Sequence, residues 1–185
     1  MKLLFAFLLF YTIKIDTLTL AHSFEELNFI TEVNLLRTHP KEYVVYVKKY
    51  ALRWGTPEEK ADAPEAIAVL ENMQPLQPLV VSNQVRQLLE NHRGVDTIGR
   101  WVNHDRKWLV TSYKSGGENI IMSCKNTYRN MVIRHLIDAG IKDRGHRHNM
   151  LNPSVNSISV RRIVFGDESK PFQCRIWWIE EYLEL

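Results

Sequence analysis

Two runs toward the C-terminal end of the sequence constrain the fold more than any other feature. "VNSISVRRIVFG" (155–166) and "FQCRIWWIEEYL" (172–183) are rich in β-branched and aromatic residues mixed with polar ones, and "GDESKP" between them carries turn chemistry. They read as a β-hairpin. The chain before them has a different period. Ser23 and Glu26 form a capping box, and Phe24, Leu27, Ile30, Val33 and Leu36 recur every three residues, which predicts an amphipathic helix over 24–38. Pro40 ends that helix and can open a second one carrying Tyr43, Val44, Val47 and Tyr50. Residues 53–63 read as a polar loop. A short helix follows, opened by Pro64 and reaching Met73, and Ser82 caps another over 83–93. Residues 99–117 read as loop with a strand at 107–113. Asn126 to Ala139 reads as a helix with Gly140 at its C-cap. Helices first and a hairpin last argue for the α+β class rather than alternating βαβ units.

The N-terminal segment carries a different message. Lys2 precedes eleven mostly apolar residues, Leu3 to Ile13, and Thr19-Leu20-Ala21 ends in a small residue suited to cleavage. Eleven residues are too few to cross about 30 Å of hydrocarbon, which needs about twenty. Residues 1–21 therefore read as a secretory signal, 22–185 as one domain, and the protein as extracellular. The 185-residue chain is 45% hydrophobic and 24% charged with a formal charge of +3, and shows no basic block of the kind that binds nucleic acid. Its two cysteines, Cys124 and Cys174, are too far apart for a zinc knuckle or a redox motif. In a secreted protein an even count suggests one disulfide, the alternative being two buried thiols.

Known catalytic motifs are missing: there is no His-Glu-x-x-His, Gly-x-Ser-x-Gly, P-loop or Gly-x-Gly-x-x-Gly. Chemistry-bearing residues gather instead in "DAGIKDRGHRHNM" (138–150) and around "GGENIIM" (116–122). Glu118 enters an apolar segment, where a buried carboxylate needs a partner. His104, His146 and His148 stand beside acids and glycines. His92 and His135 fall in the last turns of helices, where a cation suits the helix dipole and needs no further role. Trp177 and Trp178 alternate faces of a strand and read as core.

"EVNLLRTHPKEY" (32–43), the Pro78-Leu79 and Ser82 lead-in, "GENI" (117–120) and "LIDAGIKDRGHRHNMLNP" (136–153), in this order, resemble the CAP superfamily. That superfamily comprises cysteine-rich secretory, antigen 5 and pathogenesis-related 1 proteins, and its domain is also called the SCP domain. The likeness spans about residues 24–183 and is nearest the cysteine-poor branch of bacteria and protists. It implies an α-β-α sandwich with a small antiparallel sheet between helical layers. It also implies a central cavity lined by His104, Glu118, Asp138 and His146 that binds a divalent metal, commonly zinc. Asp138 is one methylene shorter than the Glu many members carry, and Ser157 stands where a Gly is usual. Two imidazoles and two carboxylates suit zinc chemically. The implied functions are an extracellular effector or a ligand- or lipid-binding protein, with an unknown extracellular protein or lipid as partner. The alternative is a metal-dependent hydrolase in which Glu118 acts as general base. Asn34 and Arg37, three apart on one helix face, read as structural ties.

Overall fold

A computed structural model describes residues 22–95, 102–105, 115–124, 126–166 and 175–185. The segment expected to be a signal, the strand expected at 107–113 and Cys174 lie outside them, so a Cys124–Cys174 bridge does too. Cys124 itself is half-buried against the main core. The chain is α+β. The elements run α1 (Phe24–Thr38), α2 (Pro40–Arg53), α3 (Pro57–Asn72), β1 (Val80–Val81), α4 (Asn83–Glu90), β2 (Gly116–Met122), α5 (Tyr128–Ile137), α6 (Gly145–Leu151), β3 (Ser157–Phe165) and β4 (Arg175–Leu183).

The predicted hairpin forms, and β4 then accepts β2 on its other side, giving the strand order β1-β3-β4-β2. The sheet is mixed rather than wholly antiparallel, because the two-residue β1 runs parallel to β3. The approach of β1 is set from α1. Asn34 bonds both the amide and the carbonyl of Leu79, and Arg37 donates to the Gln77 carbonyl, so the chain reaches β3 in a fixed direction. Arg37 is fully buried and also donates to the carbonyls of Met150, Asn152 and Val155. One guanidinium thus holds three segments together.

Strand alternation gives the sheet two apolar faces. Ile121, Ile158, Val160, Trp178 and Tyr182 face the main core with residues of α1, α2, α3, α5 and α6, and Phe29 stacks on Trp178 at 5.5 Å. Ile179 faces the other way and packs on Leu89 of α4 and on Val102, with Ile120, Ile163 and Trp177 partly buried alongside. Helices therefore cover both faces of the sheet.

Three local readings change. Residues 57–63 are helical rather than loop: Thr56 and Glu59 make a capping box with Pro57 at the first position, and Pro64 lies inside α3 instead of opening it. Gly140 is not the cap of α5. Asp138 is, in the left-handed region at φ 55°. The segment after it also holds a helix, α6, not read from the sequence, which Arg144 enters in the left-handed region at φ 50°. Arg144 is held there by Asp62, Glu65 and the Asp138 carbonyl, and Arg147 by Glu65 and the Leu136 carbonyl.

Candidate functional site

The four residues singled out by the resemblance form two pairs. His104 Nδ1 lies 2.6 Å from Glu118 Oε1, and His146 Nδ1 lies 2.7 Å from Asp138 Oδ1. The sheet separates the pairs. Glu118 and Asn119 are consecutive in β2, so their side chains leave opposite faces. The Asn119 side chain donates to the His146 carbonyl and accepts from Asn149, both on α6. A Cβ on Gly117 would meet the Asn149 side chain at 2.1 Å, which shows how closely α6 sits on that face. Glu118 faces the α4 side, opposite Glu181 of β4.

On the α4 side, Glu118 is fully buried and spends both oxygens. His92 Nε2 bonds Oε2 at 2.7 Å, while His104 Nδ1 and the Asp105 amide reach Oε1. The tautomer of His92 follows from its other nitrogen. Nδ1 accepts from the Gly94 amide at 3.1 Å, so the ring proton is on Nε2 and is donated to Glu118. Burial pushes the Glu118 carboxyl up, but hydrogen bonds from His104, His92 and Glu181 outweigh it and pull the group down to about 2. His104 is the accessible end of this chain, with 39% of its side chain exposed.

On the α6 side, Asp138 serves two purposes. The N-cap residue Arg144 makes no side-chain cap bond to α6. Asp138 supplies the missing acceptor: its Oδ2 takes the His146 amide at 2.9 Å, and Oδ1 holds the ring. Burial raises the Asp138 carboxyl, but the His146 side-chain bond, the His146 amide and the electrostatic pull of His146 and His135 together outweigh it, so it is lowered overall. With the carboxylate accepting from Nδ1, neutral His146 keeps a lone pair on Nε2. His135 of α5 lies parallel to this ring, with centroids 4.7 Å apart and 6° between planes. Its Nδ1 is 3.1 Å from Glu180 Oε1, off hydrogen-bond alignment, and its Nε2 has no partner although the side chain is only 5% exposed. His135, Asp138 and His146 line a pocket of about 190 Å³.

This arrangement does not fit one ion held by all four residues. The nitrogens that face Glu118 and Asp138 are spent on the carboxylates, and the pairs are on opposite faces of β2. Among the described residues, no group of three His, Cys, Asp or Glu is placed to hold a metal. Lone pairs of parallel imidazoles also lie in parallel planes, so His135 and His146 do not converge on an ion.

His92 and His135, helix-end histidines by sequence, are both built into these clusters. His135 carried a usable signal, since it follows buried Met131 by four residues and Val132 by three and so falls on the inward stripe of α5. His148 is exposed, as its place in the sequence suggested. No described helix is long and apolar enough to cross a membrane. Compared with known proteins, the chain matches no family model and no curated protein.

Proposed function

We propose that residues 22–185 form a CAP-type (SCP) domain of a secreted protein, released from a signal segment at 1–21, that works by holding a small extracellular ligand. The observation that carries this reading is the α6-side pocket. Asp138 holds His146 in one orientation, His135 is buried beside it with an unspent nitrogen, and the described lining contains no hydroxyl, thiol or amine nucleophile. Such a surface is equipped to bind and poorly equipped for covalent catalysis. The order of the "GENI" and "GHRHNMLNP" segments and the helices on both sheet faces support the family reading. A Cys124–Cys174 bridge belongs to the same proposal.

The test is to secrete the full chain from a eukaryotic host, sequence the mature N-terminus and identify co-purifying small molecules by mass spectrometry. The reading expects a start at His22 and a bound molecule lost in His146→Ala. An uncleaved chain would refute secretion, and identical extracts from both proteins would refute the pocket.

A second reading, hydrolysis, has one observation in its favour: His146 Nε2 is a base oriented by a carboxylate. Glu118 is not suited to that role, since both of its oxygens already accept hydrogen bonds. Ester or peptide turnover that vanishes in His146→Ala and persists in Glu118→Gln would favour this reading over binding alone.

A further inference from the structure

We infer that the cavity between α1, α2 and the start of α5 binds a small aromatic carboxylate, with Arg129 as its anchor. The site shares no residue with the two histidine clusters and does not depend on the function proposed above. Arg129 is fixed before any ligand arrives. Glu32 of α1 takes one edge of its guanidinium, with Oε1 2.7 Å from Nε and Oε2 3.2 Å from Nη2. Oε1 also accepts from the Tyr43 hydroxyl at 2.8 Å, which holds the carboxylate in turn. The guanidinium lies over the Tyr46 ring, 4.0 Å from its centroid. Nε and one N–H of Nη2 are spent in this way. Nη1 has no partner among the described residues, and Nη2 keeps a second N–H. Together they form an end-on fork that matches the two oxygens of a carboxylate. Glu32 covers one edge and Tyr46 one face, yet 38% of the Arg129 side chain is exposed and it lines the cavity, so the fork is within reach of a ligand.

The surroundings supply charge and an apolar wall. Glu32, Lys49 and Arg129 are the charged residues of the described lining, one carboxylate against two cations. The carboxylate is spent on Tyr43 and Arg129, while Lys49 is exposed and makes no ion pair among the described residues. The cavity therefore favours a negative guest. Trp54, 55% exposed, and the buried Ile133 belong to the same wall. An exposed indole offers a flat apolar surface that a ring can cover without repacking of the core. The volume of about 420 Å³ falls in the range of about 300–1,000 Å³ usual for small-ligand sites, against about 190 Å³ for the pocket beside His146. It leaves room for a bicyclic body behind the carboxylate.

The test is calorimetric titration of the purified protein with 2-naphthoate, 2-naphthalenemethanol and inorganic sulfate at pH 7. The expected result is that naphthoate binds at least tenfold more tightly than either of the others. Arg129→Lys keeps the charge and loses the fork, and should weaken naphthoate about tenfold or more, as for loss of a hydrogen bond between charged groups. Trp54→Ala, an exposed change outside the Arg129–Glu32 pair, should weaken it severalfold and keeps the test decisive if circular dichroism shows that Arg129→Lys does not fold. Lys41→Ala, which removes an exposed cation of α2 that does not line the cavity, should leave binding unaltered. Alcohol bound as tightly as the acid would overturn the anion assignment, and sulfate bound as tightly as naphthoate would overturn the aromatic body. Naphthoate affinity unchanged in folded Arg129→Lys, or lowered as much by Lys41→Ala, would overturn the anchor in favour of diffuse charge attraction. Absence of naphthoate binding at millimolar concentration would overturn the site altogether.

Discussion

Replacing Glu118 by Gln tests the buried chain His92–Glu118–His104 at its centre. The wild-type carboxylate accepts two imidazole N–H bonds and the Asp105 amide. An amide has one acceptor oxygen and one NH₂, so one imidazole N–H is left facing N–H. Hydrogen bonds to a charged group contribute about 1.5–3 kcal/mol each, and a buried donor left unmet costs a further 1–3 kcal/mol. Loss of one such bond and weakening of another gives an expected destabilisation of about 3–5 kcal/mol, or about 10 °C in Tm for a domain of this size. The pH dependence supplies an independent arm. Glu118 has a folded-state value of about 2 against 4.5 unfolded, so its contribution is fully present above pH 4.5 and is lost as pH falls toward 2. That contribution is about 3 kcal/mol, of which about two-thirds is lost by pH 3. Urea unfolding of both proteins between pH 7 and pH 3 measures it. The wild-type curve should fall more steeply than the Gln curve across this range. Equal stability at pH 7, or parallel pH curves, would refute the buried chain.

Arg37→Met should cost about 2–4 kcal/mol in urea unfolding, because it strands four carbonyls that one guanidinium satisfies, and an unchanged midpoint would remove its tying role. Gly117→Ala should destabilise by about 1–3 kcal/mol and move the His146 ring signals, since the added methyl meets Asn149 on α6. In zinc titrations, any ion bound should respond to His104→Ala or to His146→Ala but not to both. One equivalent abolished by either substitution would show that the pairs share an ion after all. Thiol titration of native protein should find no reactive cysteine, and two reactive thiols would refute the bridge.

Much of this fold can be read from sequence where the signal is local. The capping box at Ser23, Pro40 at a helix start and the hairpin around "GDESKP" all depend on near neighbours. The reading failed where a local rule had a rival. Pro64 suits a first helical position, yet Thr56-Pro57-Glu58-Glu59 holds the stronger start. Gly140 reads as the cap because glycine adopts the left-handed region freely, whereas Asp138 holds it through bonds to His146 and Arg144 that are made only in the fold. The four residues that the resemblance singles out fall into two pairs, a division that the sequence does not show. It depends on whether Glu118 or Asn119 faces α6, and in a strand a one-residue difference inverts the answer.

The order β1-β3-β4-β2 also governs when the molecule can be built. The inner position beside β2 belongs to β4, the last of the described strands in chain order, and among the described residues β2 pairs with no other strand. A ribosome emits β2 about fifty residues before β4, its described strand neighbour, at about 5–20 residues per second. Until Arg175–Leu183 arrives, "GENIIM" is a bare edge with Glu118 uncovered on one side and Asn119 on the other. The Glu180 and Glu181 carboxyls beside His135 and Glu118 therefore arrive only with the final strand, and a nascent chain halted before β4 would leave β2 without that partner, an aggregation-prone edge.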